Sequence, residues 1–211
     1  MIFCIVPSLD LAYFLLLTRK GRCVILKRKK GKKVMSKVLV ISASPRKGGN
    51  SDTLCDEFIR GALSSGHEVT KIRLAEKNIN YCSGCGQCFK KGECSQKDDM
   101  QEILPLFESA DSVVLATPVY FYCMNGQMKT FIDRCCPAYE KLSNKKFYVI
   151  VTAAEKAKDT FDETMAAFNG FFRCLDGAEV VKVIRGMGVF RPHEVKNSKA
   201  MEMAFLAGED C

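Results

Sequence analysis

Net charge is absent from most of this 211-residue sequence. The whole chain has a formal charge of +8, but residues 1–34 hold nine Lys and Arg against a single acid, Asp10. Residues 35–211 therefore hold 23 basic and 23 acidic side chains. A neutral surface attracts polyanions weakly, so we expect no nucleic-acid partner.

A long uninterrupted apolar run is also absent. Residues 2–17 are largely apolar, but Pro7 and Asp10 interrupt them, and a bilayer span needs about 20 residues. Basic residues follow this run, whereas in a signal peptide they precede it. We therefore expect a cytoplasmic protein with no membrane partner, unless residues 1–34 are a real anchor with a basic flank, which would also allow RNA association.

We favour another interpretation of residues 1–34. A strong strand pattern begins just after Met35, and the preceding KRKKGKK would be encoded by purine-rich DNA, as a bacterial ribosome-binding site is. We expect residues 1–34 to be an extension that is not native or is disordered, and residues 35–211 to form one domain. The intact mass of the native protein tests where the chain starts.

Patterns of acid–base and nucleophilic catalysis are missing as well. No Ser/His/Asp triad or glycosidase-like carboxylate pair has supporting spacing, and there is no G-x-G-x-x-G or G-x-x-x-x-G-K-[ST] motif. His67 opens a strand and is expected at the surface, and His193 is expected in a solvated loop. The Cys135–Cys136 pair is expected to pack in the core. We therefore predict no catalytic side chain.

From residue 35 onward, strand patterns alternate with helical patterns. Short apolar, β-branched runs predict strands at 37–43, 67–74, 111–117, 146–152 and 178–184. Helical spacing predicts helices at 52–65, 98–109, 126–140, 160–175 and 198–206. This alternation is typical of an α/β fold with a doubly wound parallel sheet and helices on both faces. Ligands of such sheets bind beyond the carboxyl ends of the strands, where loops 44–51, 118–125 and 153–159 would meet.

The loop after the first of these strands, SPRKGGNS, has groups suited to a phosphate. Ser44, Asn50 and Ser51 supply hydroxyl and amide groups, and Arg46 supplies positive charge. The N-terminus of the following helix supplies free N–H groups. By itself, an ordinary polar turn between a strand and a helix explains the same residues equally well.

The loop after the third strand favours a bound ring. Tyr120, Phe121 and Tyr122 stand together at a strand's carboxyl end, where clustered aromatic residues are typical of a stacking surface. A phosphate loop and an aromatic loop in this topology describe a mononucleotide with a planar ring, such as FMN.

Three motifs carry a family resemblance: ISASPRKGGNS, CSGCGQCFKKGEC followed by DDM, and ATPVYFYCMNGQMKTFIDR. The chain from Lys37 to Arg134 resembles the NADPH-dependent FMN reductase and iron–sulfur flavoprotein branch of the flavodoxin-like superfamily, and the likeness thins after about Thr152. The resemblance implies strand order 2-1-3-4-5, FMN as cofactor, NAD(P)H as co-substrate, and a homodimer or homotetramer. It implies FMN contacts from Ser44, Arg46, Asn50, Ser51, Pro118, Val119, Tyr120, Phe121, Met124, Thr152 and Ala153.

Twelve cysteines are below the density of a disulfide scaffold, but four of them are closely spaced. The spacing Cys82-x2-Cys85-x2-Cys88-x5-Cys94 lies in a predicted insertion at 75–97. It favours Cys4 ligation of a [4Fe–4S] cluster, and it resembles the spacing in iron–sulfur flavoproteins. Structural zinc, free thiols and a redox-active disulfide within a C-x-x-C pair are the open alternatives.

These features together predict an FMN-dependent oxidoreductase. Electrons would pass from NAD(P)H, or from a reduced protein such as ferredoxin, through FMN and a cluster to a quinone, a flavin or another small acceptor. A non-enzymatic electron carrier is the alternative, although flavodoxins tend to be strongly acidic and residues 35–211 are neutral.

Overall fold

The computed structural model divides the chain into two units, residues 1–34 and 35–211. In the first unit it describes β1 (Tyr13–Leu17) and β2 (Cys23–Lys27), which pair as antiparallel strands. In the second unit it describes every residue except Lys158. Apart from these two strands, residues 1–34 lie outside the described part of the chain, and the predictions about their origin and order stay predictions. Within the described ranges, no helix is both long and apolar enough to cross a membrane.

Five parallel strands form the centre of the second unit. They are β3 (Lys37–Ser42), β4 (Glu68–Arg73), β5 (Ser112–Tyr120), β7 (Lys146–Ala153) and β8 (Glu179–Met187). A short strand, β6 (Cys123–Met124), pairs antiparallel with the end of β5. The three central strands are buried along most of their length because their apolar runs pack on both faces.

The order of the parallel strands across the sheet is β4-β3-β5-β7-β8. Numbered along the chain without β6, this is the predicted order 2-1-3-4-5, and the predicted flavodoxin-like α/β fold is confirmed. The sequence did not indicate β6, and counting it changes the path to 2-1-3-5-6.

Helices cover both faces of this sheet. One face carries α1 (Asn50–Ser64) and α6 (Lys199–Glu209), and the other carries α3 (Met100–Ser109), α4 (Gly126–Arg134) and α5 (Asp162–Phe172). The helices α1 and α6 approach each other closely through glycines. A Cβ at Gly61 would strike the carbonyl oxygen of Phe205, and a Cβ at Gly208 would strike that of Phe58.

Three local predictions are wrong. The predicted helix at 126–140 ends at Arg134 and gives way to a 3-10 helix, Cys136–Lys141, because Pro137 has no N–H and its ring obstructs an α-helix. The insertion contains an unpredicted helix, α2 (Gln87–Lys91). His67 is buried, and its Nδ1 accepts a hydrogen bond from the Ser36 N–H (3.1 Å).

Candidate cofactor cleft and cysteine pocket

An open cleft of about 180 Å³ lies at the carboxyl ends of β3, β5, β7 and β8. The predicted cofactor residues that line it are Ser44, Arg46, Asn50, Ser51, Pro118, Val119, Tyr120, Thr152 and Ala153. Phe121 and Met124 do not line it. Residues from all three predicted loops therefore meet at this edge of the sheet, as expected for a doubly wound fold.

At one end of the cleft the phosphate loop leads into the N-terminus of α1. Gly49 is the N-cap residue, and no described side chain caps this helix. Ser51 lines the cleft beside the first turn, and its buried hydroxyl has no hydrogen-bond partner in the described part of the chain. Helix N-termini carry free N–H groups and partial positive charge. This end of the cleft is therefore suited to an anion that accepts hydrogen bonds.

Arg46 and Asn50 hold the loop after β8 against the phosphate loop. The Nη1 of Arg46 donates to the Phe190 carbonyl oxygen (3.1 Å), and its guanidinium lies over the Phe190 ring. The Nδ2 of Asn50 donates to the Arg191 carbonyl oxygen (2.9 Å), and its Oδ1 accepts from the Val195 N–H (3.2 Å). The side chain of Asn50 thus joins two walls of the cleft.

A buried carboxylate supports the phosphate loop from beneath. Asp52 accepts hydrogen bonds from Ser42 Oγ (2.8 Å) and from the Gly48 N–H (3.0 Å), and it pairs with Lys71 Nζ (2.8 Å). Burial raises the pKa of Asp52, but the bonds from Lys71, Gly48 and Ser42 outweigh burial, so the pKa lies below its usual range. Asp52 is therefore ionised at neutral pH and fixes the loop.

The aromatic segment forms a tight hairpin. The strand β5 continues to Tyr120 and pairs with β6, and Phe121 at the turn has a φ of 50° and is fully exposed. Pro118 and Val119 precede it along the wall of the cleft, whereas Met124 is buried in the core. The hairpin therefore presents its β5 side to the cleft and turns Phe121 outward.

Asn125, just after the hairpin, connects it to the sheet. Its Oδ1 accepts from Thr117 Oγ1 (3.2 Å) and from the Met128 N–H (3.2 Å), which caps α4. Its Nδ2 donates to the Ala43 carbonyl oxygen (2.6 Å). These bonds join β3, β5 and α4 beside the cleft.

The cleft has a fourth wall that was not predicted from the sequence. Val189, Phe190 and Pro192 line it from the loop after β8. The signal was present as the apolar and aromatic run GMGVFRP after the last predicted strand. That strand continues to Met187, beyond the predicted end at 184, and so brings this loop to the cleft. His193 is exposed in the same loop, as predicted.

A separate pocket brings together the four closely spaced cysteines, Cys82, Cys85, Cys88 and Cys94. In the structure none of these four cysteines forms a disulfide. Hydrogen bonds from Ser95 and from the Gln87 N–H lower the pKa of Cys85 to about 7. Because metals bind thiolates, this lowered pKa suits Cys85 to ligation.

Arg134, at the end of α4, is a buried cation beside the cysteine pocket. Its Nη1 donates to Asp98 Oδ2 (2.6 Å) and to the Asn80 carbonyl oxygen (2.7 Å), and its Nη2 donates to Asp98 Oδ1 (3.0 Å) and to Cys94 Sγ (3.5 Å). Burial raises the pKa of Asp98, but the Arg134 guanidinium and the hydrogen bonds from the Asn80 and Met100 N–H groups together outweigh burial and hold the pKa at about 2. The pair therefore anchors the cysteine-rich insertion to α4.

A fifth thiol, Cys136, lies in the same pocket, 3.6 Å from Cys88 Sγ. The prediction that the Cys135–Cys136 pair packs in the core is right for Cys135 and wrong for Cys136. Among the described residues, no three His, Cys, Asp or Glu are grouped as ligands of a single metal ion.

The sequence is similar to known flavoproteins. An iron–sulfur flavoprotein of Archaeoglobus fulgidus is 50% identical over 101 residues, which are 48% of this chain and 46% of that protein. The chain spans about half the length of this relative and of two iron–sulfur flavoproteins of Methanocaldococcus jannaschii that it also matches.

Solved structures share the fold. An FMN-dependent NADH-azoreductase of Bacillus anthracis in complex with FMN superposes with a TM-score of 0.65 at 18% identity, over 82% of this chain and 98% of that one. An NAD(P)H:quinone oxidoreductase of Methanothermobacter marburgensis gives a TM-score of 0.65 at 15% identity, over 84% and 97%. In sequence, residues 36–179 match the family described as NADPH-dependent FMN reductase. Because this match extends over most of the second unit, the chain belongs to the NADPH-dependent FMN reductase family.

Proposed function

We propose that this chain is an FMN-dependent oxidoreductase that transfers electrons from NAD(P)H to a quinone, a flavin or another small acceptor. Membership of the family supports FMN and NAD(P)H. The observation that carries the proposal is the buried, unpartnered Ser51 hydroxyl beside the N-terminus of α1, where no described side chain caps the helix. The FMN phosphate would supply the acceptor that this hydroxyl and the helix N–H groups need.

The residues of the cleft would bind, orient and shield the flavin. Ser44, Ser51 and the charge of Arg46 would hold the phosphate, while residues 118–120 and 152–153 would flank the ring. Bound FMN supplies one- and two-electron transfer, and the protein supplies position and electrostatics. No acidic or histidine side chain lines the cleft in the described part of the chain.

We propose further that Cys82, Cys85, Cys88 and Cys94 hold a [4Fe–4S] cluster. Their shared pocket and the lowered pKa of Cys85 support this, and so does the name of the Archaeoglobus fulgidus relative. Anaerobically purified protein should then contain about four iron and four acid-labile sulfide per chain. Less than one iron per chain after reconstitution would overturn the cluster.

Steady-state turnover of the FMN-loaded protein tests the enzymatic function. We expect NADH or NADPH to be oxidised continuously when a quinone is present, and riboflavin to bind less tightly than FMN because it lacks the phosphate. Reduction by ferredoxin alone, without turnover of NAD(P)H, would identify an electron carrier instead. Failure to bind FMN would refute both functions.

We also propose a homodimer or homotetramer in a reducing compartment such as the cytoplasm. Tyr120, Phe121 and Tyr122 are exposed at the hairpin, and exposed aromatic clusters are typical of interaction surfaces. In the second unit, the cysteines from Cys55 to Cys174 form no disulfide, as expected where thiols stay reduced. Light scattering of the purified protein measures its mass, and a monomer would contradict the proposed assembly.

A further inference from the structure

Cys88 and Cys136 form a close thiol pair between two different parts of the chain. Their sulfur atoms are 3.6 Å apart although the residues are separated by 48 positions in the sequence. A disulfide has an S–S length of about 2.05 Å, so one sulfur has to approach the other by roughly 1.5 Å.

The helix that carries Cys88, α2, has few packing contacts that would oppose such a movement. None of the five residues of α2 is buried, and the helix is bounded by Gly86 and Gly92, with φ of 67° and 71°. Cys136, in contrast, lies between the buried residues Cys135 and Ala138. The approach would therefore be made by α2, while Cys136 stays in place.

We propose that Cys88 and Cys136 are a site of reversible disulfide formation when no cluster is bound. The disulfide would also prevent cluster assembly because it consumes Cys88, an effect that rests on the proposed [4Fe–4S] site. The pair thus makes the cysteine pocket a two-state site that holds either a cluster or a disulfide.

The oxidant that we propose is a low-molecular-weight disulfide, represented by glutathione disulfide. The thiolate of one cysteine attacks glutathione disulfide, whose S–S bond breaks and releases one glutathione thiol. The second cysteine thiolate then attacks this mixed disulfide, which forms the Cys88–Cys136 bond and releases the second glutathione thiol. Two protein thiols are oxidised, one glutathione disulfide is reduced, and the two protons pass to the two glutathione thiolates.

Peptide mapping of the full chain tests the pairing. After incubation of the cluster-free protein with a glutathione redox buffer, we expect the thiol count to fall by two and tryptic peptide 78–90 to be linked to peptide 135–141. Cys88→Ser and Cys136→Ser should abolish this link, whereas Cys85→Ser and Cys174→Ser should retain it. Absence of the link, or its persistence in Cys88→Ser, would overturn the proposal.

Cluster reconstitution with ferrous iron and sulfide tests whether the disulfide prevents cluster assembly. In the wild type, the attack of the second cysteine on the mixed disulfide is intramolecular, which favours loss of Cys88 to the disulfide. Cys136→Ser lacks this step, so it should need at least about ten-fold more glutathione disulfide than the wild type for the same loss of cluster reconstitution. If glutathione disulfide inhibited reconstitution of the two proteins equally, the Cys88–Cys136 disulfide would not be what prevents cluster assembly. The same conclusion would follow if reduced Cys136→Ser protein took up no cluster. If the reduced wild type takes up no cluster, the [4Fe–4S] site itself is refuted, while the linked peptides still decide the disulfide.

Discussion

Ser51 shows how a single buried group can identify a binding site. Its hydroxyl lies at the start of α1, on the cleft, and finds no partner within the described chain. Folding rarely leaves such a group unsatisfied, because its desolvation costs about 1–3 kcal/mol. A ligand that accepts a hydrogen bond from Ser51 would offset that cost, so this hydroxyl should contribute to the free energy of FMN binding.

Ser51→Ala should therefore weaken FMN binding without lowering thermal stability. A hydrogen bond to a charged group is worth about 1.5–3 kcal/mol, so we expect the Kd for FMN, measured by quenching of flavin fluorescence, to rise about ten-fold or more. Riboflavin has no phosphate and is the control, with an unchanged Kd. An equal rise for both flavins would show that Ser51 acts elsewhere than at the phosphate.

Asp98→Asn should destabilise the protein in a pH-dependent way. The substitution leaves Arg134 buried without its countercharge, which costs about 3–5 kcal/mol at neutral pH. The folded-state pKa of Asp98 is about 2, below its ordinary value of 3.8, so the carboxylate's contribution is present above 3.8 and is lost as the pH falls toward 2. Urea unfolding should show that the difference in the free energy of unfolding between the wild type and the variant decreases as the pH falls through this range.

The neighbouring Asp133 is the control for that measurement. It pairs with Lys129 on the exposed face of α4, and exposed ion pairs contribute little. Asp133→Asn should unfold like the wild type at every pH. A gap between Asp98→Asn and the wild type that stays constant down to pH 2 would contradict the role assigned to the carboxylate.

At the scale of elements, the predicted strands and helices were largely confirmed, and the errors have local causes. Each predicted strand matches an observed strand because apolar β-branched runs are a property of consecutive residues. The helix predicted at 126–140 was too long because the prediction followed the apolar spacing and did not allow for Pro137, which obstructs an α-helix. The loop at 118–125 proved to be a hairpin, since β6 exists only by pairing with β5.

The packing of α1 against α6 should be sensitive to one methyl group. Gly61→Ala places a Cβ against the carbonyl oxygen of Phe205, so the two helices would have to separate. Overpacking of this kind costs about 1–3 kcal/mol. Thermal unfolding should therefore show a lower Tm for Gly61→Ala.

Gly170→Ala in α5 is the matched control. No described heavy atom lies within 4 Å of a Cβ built at Gly170, so the substitution gains helix propensity, worth about 0.8–1 kcal/mol, without a clash. Its Tm should rise slightly. If both variants shift in the same direction, close approach of the backbones is not the cause.

At the scale of the whole molecule, the cleft belongs to the second unit of the chain. All residues that line it lie within 35–211, and the contacts of the chain divide at Met35. A chain that starts at Met35 should therefore bind FMN with the same Kd as the full chain. Parallel fluorescence titrations measure this, and clearly weaker binding by the shortened chain would show that residues 1–34 take part in the site.

The sequence by itself determined the order of strands and helices, the position of the cleft and most of its lining, including Ser44, Ser51 and Pro118. The elements and the position of the cleft follow from local periodicity and from the rule that loops at the carboxyl ends of parallel strands meet, whereas Pro118 was expected from the family resemblance. Only the tertiary structure decided that Asn50 bonds to the carbonyl of Arg191, 141 positions away, and that Cys88 meets Cys136, 48 positions away. The physical reason is that such contacts depend on how distant elements pack, which no pattern of neighbouring residues encodes.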